Sequence, residues 1–226
     1  MDEHKNALAA PAGCARCSKP TPFCVCDLLV ELAPRPRILV LQHPQEQDAL
    51  LGTVPLLRAT IPSARLRIGL SWPSLAAAWG ETVASPRRWA VVYPVSSGPD
   101  VPAPVPDSPP VPAPAALLAD RRGVPMAAAD IEGIVLLDGS WRQAKALWWR
   151  NAWLLKLARL ALTPVQPSIY GRLRREPSRN HLSTLEAAAA ALVVLGEPVG
   201  QQRALHRPLR GLMQRLRDGQ PSLEVA

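Results

Sequence analysis

The chain has 226 residues, 48% of them hydrophobic, and a formal net charge of +8. It is long enough to bury one substantial core and too apolar for a disordered polymer. No uninterrupted apolar run approaches a membrane span, 185–195 reaching only about half that length, and Asp2, Glu3 and Lys5 at the start read against a secretory signal. A cytoplasmic protein without membrane attachment is the expectation. Of the 26 basic residues only Lys5, Lys19, Lys145 and Lys156 are lysines. Arginine binds phosphate bidentately and stacks on bases, so an anionic polymer such as RNA is a natural partner, against a plainer reading of solvated arginines from compositional bias.

All four cysteines lie within thirteen residues, as Cys14-x-x-Cys17 followed by Cys24-x-Cys26. In a reducing compartment four clustered thiolates surround one Zn²⁺ tetrahedrally, and such a closed site is structural because no position remains for water or substrate. The tight second pair also fits a bridge or a redox pair. A knuckle here would fasten the N-terminal segment, residues 1–36, to the larger unit 37–226 and would present Arg16 and Lys19 to a phosphate backbone.

The run 37–42 reads as a first core strand, stopped at His43-Pro44 because proline cannot continue a ladder. A helix fits 45–61, with Leu50, Val54, Leu57 and Ile61 on one stripe, weakened by Gly52 and Pro55. Strands are expected at 64–70 and 89–94. From about 96 to 116 the chain is rich in Pro, Val, Ala and Ser and favours polyproline II, as a surface excursion inside one domain.

The stretch 134–145 organises the rest. Ile134, Val135, Leu136 and Leu137 read as a buried strand, and a helix-compatible run starts two residues after Asp138. Asp138 therefore stands where a strand passes into a helix, the place at which open α/β folds hold ligands. Gly139 permits a tight turn and Ser140 fits a helix N-cap. A helix over 140–157 follows, with Trp148, Trp149 and Trp153 as an aromatic cluster of the core, or one of them as a base-stacking group. A strand at 159–163 completes an alternation of strands and helices that predicts a parallel α/β sheet.

The segment 167–177 is loop-like and basic, and leads to Ser183-Thr184-Leu185-Glu186. Ser183 with Glu186 three residues on satisfies the capping-box pattern for a helix over 185–195. Its N-terminus beside Arg172, Arg174, Arg175 and Arg179 makes an anion site. A last helix, about 199–216, brings Arg203, His206, Arg207, Arg210, Arg215 and Arg217 together as a solvated or an RNA-facing surface and is interrupted near Pro208.

The order of these motifs carries more information than any one of them. The two Cys pairs, then Leu41-Gln42-His43-Pro44-x-Glu46 with Gly52-Thr53, then Asp138-x-Ser140-Trp141, then Ser168-Ile169-Tyr170-Gly171-Arg172 and Ser183-Thr184-Leu185-Glu186-Ala187, resemble the DTW-domain family of tRNA-uridine aminocarboxypropyltransferases from Cys14 to about Leu195. Ser140 stands where the family motif has Thr, which keeps the hydroxyl. The resemblance implies a SPOUT-like α/β fold with a C-terminal trefoil knot, an exception to the rule against knots. It implies transfer of the 3-amino-3-carboxypropyl group of S-adenosylmethionine to N3 of a uridine in tRNA, with 5′-methylthioadenosine released. The donor site it implies comprises Leu41, His43, Leu137, Ser140, Trp141, Ser183 and Thr184, and the RNA site Glu46, Tyr170, Arg172, Arg174, Arg175 and Arg179.

The residues suit that chemistry. Uridine N3 is a poor nucleophile until its proton is removed, so Asp138 is the expected general base, its other reading being a holder of the donor's ammonium or ribose. Trp141 suits packing on the adenine or the target base, and Ser140 either a bond to the donor's carboxylate or a cap. N3 lies on the Watson–Crick edge, so the target uridine must be unpaired or extruded. Methyl transfer to RNA, aminocarboxypropyl transfer to ribosomal RNA, and a zinc-containing RNA-binding module without catalysis are the competing readings. The sequence gives no oligomeric state.

Overall fold

A computed structural model describes residues 13–47, 49–94, 116–163, 167–171 and 182–219. In β1 (Arg37–Gln42), Ile38 and Val40 enter one core while Leu39 and Leu41 enter another; in β5 (Gly133–Asp138), Ile134 and Leu136 part from Val135 in the same way. Strands covered on both faces lose the polar-apolar alternation, which is why these segments read as continuous apolar runs. With β2 (Arg65–Ile68), β3 (Trp89–Pro94), β4 (Ala116–Ala119) and β6 (Ala158–Leu162) they form a six-stranded sheet in the order β2-β1-β5-β3-β6-β4. Every pairing is parallel except that of β4 with β6. Register places Trp89 opposite Gly133, whose absent side chain makes the room: a Cβ there would stand 2.7 Å from the Trp89 ring.

One face is covered by α1 (Val54–Thr60), α4 (Thr184–Val194) and α5 (Val199–Asp218), and Cys17 and Val25 of the N-terminal segment join the same core. The other is covered by α2 (Leu75–Trp79) and by the 3-10 segment Ala152–Lys156 that follows α3 (Trp141–Arg150), through Leu75, Trp79, Trp153 and Leu154. From β1 the chain crosses one face outward to β2; from β5 it crosses the opposite face toward β6. Between the carboxyl ends of β1 and β5 the two paths diverge and leave a crevice. Gln42 pairs with Asp138 at that point. No helix among the described residues is long and apolar enough to cross a membrane.

The mostly parallel sheet agrees with expectation, and several element boundaries differ from it. The helix expected over 45–61 is divided: a 3-10 segment, Pro44–Glu46, is capped by His43, and α1 begins only at Val54. Pro55 lies in the first turn of α1, where its missing N–H costs nothing, so it marks the start rather than weakening the middle. Leu50 is exposed, while Val54, Leu57 and Ile61 are buried. The expected helix over 140–157 stops at Asn151, which is fully buried and turned inward. Its Nδ2 donates to the carbonyls of Leu147 and Leu70, and its Oδ1 accepts from the Trp72 amide, which ties the end of α3 to the loop after β2.

The tryptophan cluster is likewise split, with Trp153 buried, Trp148 partly so, and Trp149 exposed. Proline 208 does not interrupt α5: Leu205, Leu209, Leu212 and Met213 are buried on both sides of it, and that packing carries the helix through one missing hydrogen bond. Strand β4 was not expected, since Ala-Leu-Leu-Ala carries no β-branched signal. Nearly all of the Pro-rich segment lies outside the described residues. Replacing Asn151 by alanine strands one amide and two carbonyls in a buried position. We expect Asn151→Ala to lower unfolding free energy by about 1–3 kcal/mol, read as a reduced urea midpoint at unchanged slope.

Candidate active site and metal centre

Three chain segments meet at the crevice. The first is the end of β1 and the turn after it. Gln42 is buried, and its Nε2 donates to Asp138 Oδ2 at 2.8 Å. The His43 amide donates to the Asp138 carbonyl at 3.0 Å. His43 Nδ1 accepts from the Gln45 amide at 3.3 Å, so a neutral ring carries its proton on Nε2. Glu46 closes the same 3-10 segment, half-buried. Leu41 lies wholly inside the core, so its side chain faces Leu39, Trp79 and Val135 rather than the crevice.

The second segment is Asp138 to Gln143. Asp138 is 8% exposed at the last position of β5. Gly139 follows at φ +155°, and a Cβ on it would stand 2.8 Å from that of Gln143. The close approach lets Gln143 Oε1 accept the Ser140 amide at 2.6 Å while its Nε2 donates to Gln45 Oε1 at 3.1 Å. Gln143 thus stitches the start of α3 to the turn after β1. Leu137 is half-buried, and Ser140 and Trp141 are exposed at the rim.

The third segment comes from the other end of the chain. The Thr184 hydroxyl, in the first turn of α4, donates to Asp138 Oδ1. Both carboxylate oxygens therefore meet donors, and the helix N-terminus adds positive potential on the same side. Ser183 is spent differently. Its hydroxyl accepts from the Glu186 amide at 3.2 Å and its own amide donates to Glu186 Oε2 at 2.9 Å, completing the expected capping box, while the hydroxyl also donates to that oxygen at 2.7 Å. Glu186 is itself buried and also accepts from the Ser168 hydroxyl at 2.8 Å and the Ile169 amide at 2.7 Å, tying residues 168–169 to the start of α4. Tyr170, expected to face RNA, is inside: its hydroxyl donates to the Leu51 carbonyl. Arg172, Arg174, Arg175 and Arg179 lie outside the described residues.

The cysteines form a second centre. Cys14 and Cys26 sulfurs are 3.4 Å apart, Cys17 and Cys24 sulfurs 3.7 Å, and all four lie within 4.8 Å of one another. A disulfide requires about 2.05 Å. Sulfurs around a tetrahedral ion at about 2.3 Å stand about 3.8 Å apart, so the four free thiols fit one metal ion. Backbone N–H groups of Cys17 and Arg16 lower the Cys14 thiol to about 6, toward the ligating thiolate, whereas burial pushes the Cys26 thiol up.

Arg16 is exposed as expected, but Lys19 is not. It is 1% exposed, and its ammonium donates to the carbonyls of Leu50 and Gly52 at 2.7 and 2.6 Å. Burial pushes its pKa down to about 8, against the Cys17 thiolate that favours the cation. The loop so held leads to Thr53, whose buried Oγ1 accepts the Leu185 amide at 3.3 Å, next to Thr184. On its other side the knuckle is fastened to α5, where Arg215 Nη2 donates to both Asp27 oxygens at 2.9 and 2.8 Å.

Gln42, Gln143 and Lys19 are the site-building residues that sequence reasoning missed in this role. Ser140 and Gln143 have the Ser-x-x-Gln spacing of a capping box, which could have found Gln143. For Gln42 the only signal was a polar residue ending a buried strand, and for Lys19 there was none.

The DTW domain family model matches residues 12–217. The tRNA-uridine aminocarboxypropyltransferase 2 of Mus musculus is 30% identical over 203 residues, covering 88% of this chain and 61% of the mouse protein. The protein of that name from Macaca fascicularis matches to the same extent, and that of Drosophila melanogaster is 29% identical over 209 residues, covering 88% of this chain and 72% of the fly protein. The chain spans about 61% of the length of the two mammalian relatives. No solved structure matches. The knuckle, the Asp138 turn and the start of α4 all fall inside the matched span, and the chain belongs to the DTW domain family.

Proposed function

We propose that this chain transfers the 3-amino-3-carboxypropyl group of S-adenosylmethionine to N3 of a uridine in tRNA. The observation that carries the reading is the Asp138 carboxylate, held between Gln42 and Thr184 at the crevice of a parallel sheet, in a chain of this family. A sulfonium activates each of its three attached carbons, so the product depends on which carbon faces the nucleophile. In the proposed step the N3 proton passes to Asp138, N3 bonds to the sulfur-bound carbon of the aminocarboxypropyl chain, and the bond from that carbon to sulfur breaks. The electron pair of that bond stays on sulfur, and neutral 5′-methylthioadenosine leaves.

Donors on both oxygens suit a carboxylate held in one orientation at a fixed point, which general-base action on a ring N–H requires. The rim formed by Leu137, His43, Ser140 and Trp141, with the Ser183-Thr184 helix start, would bind the donor; Leu41 would contribute through the strand it belongs to. Glu46 and the arginines at 172, 174, 175 and 179 would meet the RNA, with the exposed Arg203, Arg207, Arg210 and Arg217 of α5 adding a backbone grip that weakens with salt. Tyr170 would act by anchoring the basic loop. The metal ion is proposed to be structural Zn²⁺, bound by Cys14, Cys17, Cys24 and Cys26, and it supplies no chemistry to the reaction.

A reducing, cytoplasmic setting belongs to the same proposal, since the four thiols must stay unpaired. So does a SPOUT-like C-terminal knot. What supports it is the return of the chain after β6 to the first βα unit, through Tyr170 on Leu51 and Leu185 on Thr53.

Incubation of unmodified tRNA with the protein and S-adenosylmethionine should give, by nucleoside mass spectrometry, a uridine heavier by an aminocarboxypropyl group together with methylthioadenosine; a methylated nucleoside would reject the reaction. Asp138→Asn keeps the shape and removes the base. It should cut turnover by about 10²-fold or more at little change in tRNA affinity, and unchanged turnover would remove Asp138 from that role. Cys17→Ser should bring metal below one ion per chain by elemental analysis and lower the melting temperature, whereas full stability without metal would reject structural zinc.

A further inference from the structure

We infer that the solvent face of α3 is a docking track for an unpaired segment of RNA, with Trp149 as a stacking platform for one base. This rests on the proposed reading of RNA as substrate. Helix α3 buries Leu147 and rests Trp148 edge-on against Tyr93, with ring centroids 6.3 Å apart. Away from Leu147 it presents Trp141 at 51% and Trp149 at 70% exposure, the latter the most exposed large apolar side chain among the described residues. At 100° per residue, Trp141, Arg142, Lys145 and Trp149 fall within one arc of about 100°, and the two indoles are separated by about 12 Å along the axis.

The face carries one sign of charge. The sequence of α3 contains no acidic residue, and Arg142, Lys145 and Arg150 enter no ion pair among the described residues. An exposed indole set among unpaired cations is poorly matched to water and well matched to a ligand that joins flat rings by a chain of anions. Duplex RNA offers the phosphates but hides the ring faces, so the occupant is a single-stranded segment. The track begins at Trp141, three residues from Asp138, so a strand laid along it delivers a neighbouring base to the crevice.

The test compares wild type, Trp149→Ala, Trp149→Phe and Lys145→Ala for binding to an unmodified tRNA transcript and to oligouridine, at several salt concentrations. Trp149→Ala should weaken both by about tenfold with an unchanged salt slope, and Trp149→Phe should recover most of the loss. Lys145→Ala should instead reduce the salt slope by about one. An exposed side chain leaves the fold alone, so melting temperature and S-adenosylmethionine affinity should not move. Unchanged RNA affinity in Trp149→Ala, while the wild type binds and modifies tRNA, would overturn the track and leave the reaction standing. Loss of RNA binding in Trp149→Ala, when the wild type yields no modified uridine, would sustain the track and sink the reaction. No RNA binding by the wild type would sink both. A sedimentation shift from dimer to monomer in Trp149→Ala would overturn the track in favour of a contact between copies.

Discussion

A carboxylate at the end of a buried strand is tolerable only if donors meet it, and Asp138 draws its donors from opposite ends of the chain. Gln42 comes from the first strand of the sheet and Thr184 from the first turn of α4. The register of β1 on β5 and the depth to which α4 is inserted are therefore both fixed at one point. Sliding β1 by one residue would turn Gln42 to the other face and take one donor from a buried acid, a change with a penalty of about 1–3 kcal/mol. Gln42 and Thr184, an amide and a hydroxyl, are donors that can be oriented without adding charge to a low-dielectric site.

Much of this was legible in the sequence. Apolar runs rich in branched residues gave β1, β3 and β5 their places, and the strand-to-helix junction put Asp138 at the crevice before any geometry was known. The capping box at Ser183 and Glu186 was also readable, because it is a purely local rule. What could not be read was long-range. Gln42 becomes a partner of Asp138 only through a pairing across 96 positions, and Lys19 is buried only because a loop some thirty residues on offers two carbonyls. The over-long helices failed for a similar reason. Periodicity over 140–157 continues past Asn151, but the backbone groups that Asn151 satisfies belong to the loop after β2. Helix α5 erred the other way, local proline chemistry being overruled by its buried stripe.

The knuckle contributes more than closure of the N-terminus. Through Lys19 it sets the loop 50–52, through that loop Thr53 and the seat of Tyr170, and through Thr53 the start of α4. Each link is one or two hydrogen bonds. Together they form a continuous path from the cysteine knuckle to the start of α4, made of the Lys19 side chain, the backbone of 50–52 and the Thr53 hydroxyl. A site braced in this way keeps its geometry without a large rigid shell around it.

The sheet also determines where the chain tolerates change. Strand β3 ends at Pro94, paired with Leu162, and β4 resumes at Ala116, paired with the same Leu162. The two ends of the Pro-rich stretch therefore stand on either side of β6 at its carboxyl end, about 10 Å apart. Lengthening a tether whose ends the sheet already holds this close adds only about 0.6 kcal/mol of closure entropy per doubling. The surroundings of the crevice can thus be elaborated or trimmed at this seam while the sheet beneath keeps its order.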